Sequence, residues 1–359
     1  MAQAQSDTEH SDPDEAESLF SSLPTKEGWW TPFFLYQGCW LTPQAVRSVA
    51  VVQAQFQPRA EDIILATFPK CGTTWLKALA FTISRRSGYA VTSDDHPLLT
   101  NHPQDLVPFI DLPPRHVHPL KDLDVLPSPR LLCTHLPLTL LPLGKLTLGC
   151  RVVYLCREPK DVLVSTWHYM NKVHKDFTIN LDRVFELFYE GFSIYGPIWE
   201  HFLGYWTRSV AEPDKVLFLK YNEMMDEPAK HVKKLAEFLG VPFTYEEESS
   251  GVVDEVVRLC SFESLKNLQV NTSGVSTRFG GAPMENSSFF RTAKVGDWTN
   301  HLSQEMAQKL DRVTEEKLEG SDSRKEQKSH LIVLLDAGFC LGHTARVLQA
   351  SAEKRLDQP

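Results

Sequence analysis

Four short runs of consecutive apolar residues punctuate the chain, at 62–68, 130–134, 151–156 and 216–221. Each is apolar at successive rather than alternate positions, as expected of strands buried on both faces, and helical spacing fills the gaps between them. That alternation predicts a parallel sheet covered by helices on both faces, a single α/β domain. Helices are expected at 73–86, 159–173, 181–190, 197–209, 228–239, 253–267 and 302–319. Pro159 and Pro228 stand at first-turn positions, where no backbone N–H is needed, and Gly240 follows a helix end. No internal repeat is visible. Three regions lack a regular pattern. Residues 87–129, rich in Pro, His and Asp, should wrap the surface with short helices; 270–290 reads as a mobile loop; 321–359 follows a charged break and has no patterned face. The expected organisation is an acidic, disordered arm at 1–20, a domain at 21–320 and a poorly ordered extension at 321–359.

Composition narrows the function classes. With 359 residues, 42% apolar and 23% charged, the chain has the make-up of a globular protein with a sizeable core. The net charge of −9 argues against non-specific nucleic-acid binding. Much of it is local: Asp7, Glu9, Asp12, Asp14, Glu15 and Glu17 sit in the arm with no Lys or Arg. Seven cysteines, an odd set without a CxxC pair, fit neither a disulfide framework nor zinc spacing. His116 and His118 lack companions at metal spacing, so no metal is expected. The chain opens with neither a signal nor a transit pattern, and the run Leu331–Leu335 is far too short to span a bilayer. These features lead to the expectation of a reduced, soluble, cytoplasmic protein without membrane attachment.

The chemistry concentrates where strands end. The first apolar run stops at Pro69-Lys70-Cys71-Gly72, and an amphipathic run begins with Thr73, Thr74 and Trp75. A strand, a tight turn and a helix start would aim several N–H groups and one cation at a single place, which suits an anion. A Walker A loop would put the lysine after its second glycine, whereas Lys70 precedes Gly72. A cysteine phosphatase would need an arginine six residues past Cys71, where Lys77 stands and lacks the bidentate fork. A plain turn with a surface lysine stays open on this segment alone. Arg157, however, follows the third strand, and Ser165 lies on a face of the helix after it. Ligands of parallel sheets gather beyond the carboxyl ends of the strands, so Lys70 and Arg157 could face one cleft and a ligand with two anionic groups. His135, at the end of the second strand, has a pKa range suited to proton abstraction near neutrality. The run Glu246-Glu247-Glu248 reads as a solvated face.

Taken together, FPKCGTTW (68–75), CTHLP (133–137), YLCREPKDVLVS (154–165), KYNEM (220–224), VKKLAEFLG (232–240) and FFRTAKVGDW (289–298) resemble the cytosolic sulfotransferases. YQGCW (36–40), DLVPF (105–109), LPSPRLLCTHLP (126–137) and YGPIWEHFLGYW (195–206) resemble the plant branch most. The likeness spans about residues 20–320. It implies the donor 3′-phosphoadenosine 5′-phosphosulfate and, as acceptor, a hydroxyl of a small phenolic, steroid or hydroxy acid, with flavonoids, brassinosteroids and hydroxylated jasmonates as family-level candidates. Carried over by position, Lys70, Cys71, Gly72, Thr73, Thr74 and Trp75 would hold the 5′-phosphosulfate, with Trp75 also stacking on the base. Arg157 and Ser165 would take the 3′-phosphate, Tyr221, Ser261 and Phe262 would border the adenosine, and Arg291, Thr292 and Ala293 would close over the 3′-phosphate. His135 would be the base. The aromatic segments at 29–40 and 195–206 would supply an apolar acceptor pocket, although most of their rings fit a plain core as well.

The departures from that pattern are specific. Cys71 stands where the family often has serine, and Cys133 where animal members place a lysine. The closing segment reads Arg-Thr-Ala rather than Arg-Lys-Gly before Gly296-Asp297-Trp298. The dimerisation segment of animal members is not matched after Trp298, which leaves the oligomeric state open, and 321–359 runs past the usual family end. A weakened or inactive nucleotide-binding paralogue and another P-loop-like phosphotransferase are the alternatives.

Overall fold

The computed structural model describes residues 20–142, 149–276 and 283–319. The arm before residue 20 and the extension at 321–359 lie outside the described residues.

The expected sheet is present. Strands β4 (Ile63–Thr67), β5 (Leu131–Thr134), β6 (Arg151–Cys156) and β7 (Val216–Lys220) pair in the order β5-β4-β6-β7, all parallel. The chain therefore leaves β4 on one side to make β5, then crosses back over β4 to make β6. Side chains alternate between two cores because successive Cβ atoms point to opposite faces. Ile64, Ala66, Val152 and Tyr154 enter one cluster, while Ile63, Leu65, Val153 and Leu155 enter the other. At the amino end of the sheet, Arg130 and Asp62 form a fully buried ion pair at 2.5 Å; removing one partner of such a pair costs about 3–5 kcal/mol.

Preceding the sheet is a meander of β1 (Thr25–Lys26), β2 (Phe33–Tyr36) and β3 (Cys39–Leu41), antiparallel throughout. Helix α1 (Pro43–Gln55) follows, with the Thr42 hydroxyl accepting from Ala45 N–H at its start. Later helices are α2 (Thr73–Arg85), α3 (Pro103–Leu106), α4 (Pro159–Val173), α5 (Leu181–Tyr189), α6 (Ile198–Ala211), α7 (Pro228–Phe238), α8 (Val252–Leu259), α9 (Phe262–Asn267) and α10 (Gln304–Glu319).

Three expectations need correction. The single helix at 253–267 is two, because Ser261 adopts an extended conformation and its hydroxyl caps α9 by accepting from Ser264 N–H at 3.1 Å. Residues 270–290 are not irregular throughout: the parts described include a short helix at Gln269–Thr272, a strand pair and a 3-10 turn at Asn286–Phe289. The acidic run at 246–248 is not only a solvated face. Glu247 accepts twice from Arg86, at 2.7 and 3.0 Å, and completes a capping box with Thr244.

Candidate functional site

Each strand of the sheet releases one polar residue at its carboxyl end: Lys70 after β4, His135 after β5, Arg157 after β6 and Tyr221 after β7. All four line one cavity of about 630 Å³. Its position follows from the topology, since the crossing from β5 over β4 to β6 opens a crevice where the connections diverge.

The turn after β4 is built by two left-handed residues, Lys70 at φ +69° and Gly72 at φ +101°. A side chain at Gly72 would bring its Cβ to 2.9 Å from the Tyr221 ring, so glycine is required there for space as well as for φ. No side chain caps the start of α2, which leaves its first N–H groups available to an anion. The Thr73 and Thr67 hydroxyls bond each other at 2.7 Å, and the Thr74 hydroxyl accepts from Gln104 Nε2 at 3.2 Å. Lys70 Nζ lies 3.8 Å from the centroid of the Tyr169 ring. Burial, together with the charges of Arg157, Arg291 and Lys172, lowers its pKa to about 7. An anion in the cavity would oppose that shift.

Arg157 ties the turn to a later segment. Its guanidinium donates to Lys70 O at 3.4 Å and to Lys294 O at 2.9 Å, while its Nε is buried with no partner. Asp161, one helical turn on in α4, accepts from Gly296 N–H at 2.9 Å and Trp298 N–H at 3.1 Å, which fixes the segment against the helix. Within that segment Arg291 pairs with Asp297 at 2.5 Å. The Thr292 hydroxyl is buried without a partner, and Ala293 sits at φ +53° with its carbonyl accepting from the Tyr221 hydroxyl at 3.3 Å.

His135 is held by a different strand from its own. Its Nδ1 lies 2.8 Å from Thr67 O and 3.3 Å from the Thr67 hydroxyl. A carbonyl can only accept, so Nδ1 carries the proton and the Nε2 lone pair is left for the cavity. The His135 N–H and the Thr134 hydroxyl both donate to the buried Asp111, which also accepts from the Tyr195 hydroxyl. His201 fixes the backbone from the far side, with its Nε2 3.0 Å from His135 O and its Nδ1 2.7 Å from the Tyr154 hydroxyl. The expectation of a pKa near neutrality needs correction. Burial is the largest effect and, with the charges of Lys77 and Lys70, lowers it to about 3 against the raising effect of the Thr67 carbonyl.

Of the residues selected from the sequence, Lys70, Gly72, Thr73, Thr74, Trp75, His135, Arg157, Ser165, Tyr221, Ser261, Phe262, Arg291, Thr292 and Ala293 all border the cavity. Cys71 does not. Its side chain is fully buried, and burial pushes its thiol up to about 12. None of the aromatics at 29–40 borders the cavity, and of 195–206 only Tyr195 does; rings such as Phe33, Trp199, Phe202 and Tyr205 pack in the core. Sequence reasoning assigned no role to Gln104, Phe109, Tyr169 or Ile194, which do line it. Tyr169 was within reach of pattern analysis, lying one helical turn beyond Ser165 on the same face. Among the described residues that line the cavity there is no Asp or Glu.

A crevice at the carboxyl end of a parallel sheet, with an open helix start, two arginines and a neutral imidazole, has the chemistry to suit an anionic ligand beside a proton acceptor. The sulfotransferase domain matches residues 60–322, and the chain belongs to that family. It is 46% identical over 314 residues to cytosolic sulfotransferase 5 of Arabidopsis thaliana, covering 86% of this chain and 95% of that protein. Cytosolic sulfotransferase 8 of the same plant is 43% identical over 311 residues, covering 86% and 92%. Among solved structures, an Arabidopsis thaliana protein provisionally described as a steroid sulphotransferase superposes with a TM-score of 0.68 at 36% identity, covering 86% of this chain and 96% of that one. Mouse sulfotransferase SULT7A1 complexed with PAP superposes at 0.62 with 25% identity, covering 83% and 99%.

Proposed function

We propose that this chain transfers the sulfuryl group of 3′-phosphoadenosine 5′-phosphosulfate to a hydroxyl of a small organic acceptor in the cytosol. The observation that carries the reading is the meeting of Lys70 and the His135 Nε2 lone pair in one cavity whose described lining has no carboxylate. PAP in the mouse relative and the cytosolic names of the plant relatives support it.

The residues fit such a donor. Lys70 and the N–H groups from Gly72 to Trp75 would hold the phosphosulfate, and Arg157, with its unpartnered Nε, would take the 3′-phosphate together with Ser165 and Arg291. Trp75, edge-on to Tyr221 at 5.5 Å, borders the place for the base with Ser261 and Phe262. Bound there, the donor supplies a sulfur whose bridging oxygen gains charge as its bond to sulfur breaks. Lys70 offsets that charge. His135 Nε2 accepts the acceptor's hydroxyl proton as the new oxygen–sulfur bond forms. A neutral imidazole suits a site for anions, because a carboxylate base would repel the donor. An anionic donor beside Lys70 and Lys77 would offset those charges and raise its basicity against the effect of burial. Phe109, Leu112, Tyr169, Ile194 and Tyr195 form the apolar wall expected to receive the acceptor.

A weakened paralogue is the second reading, favoured by the Thr292-Ala293 pair. Incubation with sulfate-labelled donor and a panel of phenols, steroids and hydroxy acids, with ATP–magnesium in parallel, tests both. Labelled product from the sulfate donor alone supports transfer. Donor binding without any product supports the paralogue, and transfer from ATP would overturn both.

A further inference from the structure

Lys77 is a lysine without exposure, in the second turn of α2. Lysine is almost never fully buried unless it is paired. It also stands near the positive pole of its helix, whose first turn holds no acidic residue. Both facts make the position costly for a residue that only fills space. Its Nζ donates to Gln104 Oε1 at 2.5 Å, lies 3.4 Å from the centroid of Phe109, and bonds the Cys133 thiol.

These contacts lead back to the cavity. Gln104 lines it and donates from Nε2 to the Thr74 hydroxyl at the head of α2. Phe109 lines it too, with its ring centroid 4.9 Å from that of His135. A leucine at 77 could support Phe109 but could not fix which way the Gln104 amide faces. An ammonium donates only, so it must take Oε1 and turn Nε2 toward Thr74.

We propose that Lys77 is a positioning residue for the transfer step: it orients Gln104, and through it Thr74 at the anion turn, and seats Phe109 against the His135 ring. The inference rests on the reading of the cavity as a sulfuryl-transfer site. Its charge also bears on His135, which is faced by Thr67 from β4, Lys70 from the turn, Phe109 from the segment before β5, Asp111 through the backbone, Tyr195 before α6 and His201 from α6. Lys70 from that set, and Lys77 on the Phe109 ring beyond it, are the charges that lower the imidazole's pKa.

The test compares the unaltered chain with Lys77→Met and Gln104→Met, using labelled donor and the acceptor found to be sulfated. Absence of transfer by the unaltered chain would sink the functional reading, and with it this inference. Given transfer, Lys77→Met should lower kcat by about 10–100-fold, the scale of a small misplacement at a reacting centre, with the donor KM little changed. The acid limb of its kcat profile should move to higher pH, because a cation near the imidazole is gone. Gln104→Met should lower kcat in the same way while leaving that limb in place, and it carries the kcat-against-KM test if Lys77→Met does not fold. A folded Lys77→Met with kcat and acid limb unaltered, whatever its melting temperature, would overturn the proposal. So would a Gln104→Met variant that keeps full kcat.

Discussion

Restoring Arg-Lys-Gly in the closing segment, as Thr292→Lys with Ala293→Gly, should tighten the donor nucleotide by about tenfold. Backbone strain and charge both contribute. Ala293 sits at φ +53°, where a side chain's Cβ crowds the following carbonyl at a cost of about 1–2 kcal/mol. Glycine relieves that crowding but returns about 0.4–1 kcal/mol as extra unfolded-state freedom. The net effect is a modest gain in the stability of the segment, already pinned by Asp161 and the Tyr221 hydroxyl. Charge contributes more. The Thr292 hydroxyl is buried without a partner, and Arg291 is engaged with Asp297, so a lysine at 292 adds a cation that is not already paired. A charge-assisted hydrogen bond contributes about 1.5–3 kcal/mol, reduced here by repulsion from Arg157 and Arg291. About 1.4 kcal/mol remains, which is a decade in Kd. Calorimetric titration with PAP, alongside an analogue lacking the 3′-phosphate, separates strain relief from charge: the charge gain belongs to PAP alone. Equal affinities in the two proteins would refute the reasoning, as would the same gain for the analogue.

The other predictions concern the reacting groups and the tail. His135→Ala should lower kcat by about 10²–10⁴-fold with PAP affinity nearly unchanged, and normal turnover would remove it from the role of base. Lys70→Ala should cost roughly 10²–10³-fold in kcat, whereas a loss confined to acceptor KM would place the lysine elsewhere. The free chain's Lys70 is protonated below its pKa of about 7, so donor kcat/KM should fall as pH rises through that value. Lys70→Arg should flatten this limb, and a pH-independent donor kcat/KM in the unaltered chain would contradict the assignment. Deleting 321–359 should leave activity and Tm unaltered, since the domain match reaches only to residue 322 in that segment; a large drop in Tm would show that the tail docks.

What the sequence determined by itself was whatever depends on neighbours along the chain. Runs such as 62–68 and 151–156 could be read as double-sided strands because burial on both faces is written in consecutive residues. The turn at Lys70–Gly72 was legible because its strand, glycine and helix start are contiguous, and the ordered motifs that resemble the sulfotransferases pointed to the other candidate residues that border the cavity. Tertiary structure decided everything that needs two distant segments. The His135 tautomer comes from Thr67, on the adjacent strand, and its low pKa from burial plus Lys77 and Lys70. The cavity wall takes Phe109, Tyr169 and Tyr195 from three separate stretches, while Trp29 and Phe33, equally apolar in sequence, went to the core and the other aromatics at 29–40 pack partly buried against it. Apolarity alone states that a ring leaves water; the packing of other segments around it decides whether it lines a cavity or fills the interior. The closing segment makes the same point from the other direction. Its Thr-Ala departure was plain in the sequence, but that Ala293 lies at positive φ and that Asp161 grips the segment from α4 depend on chain folded back from more than a hundred positions away.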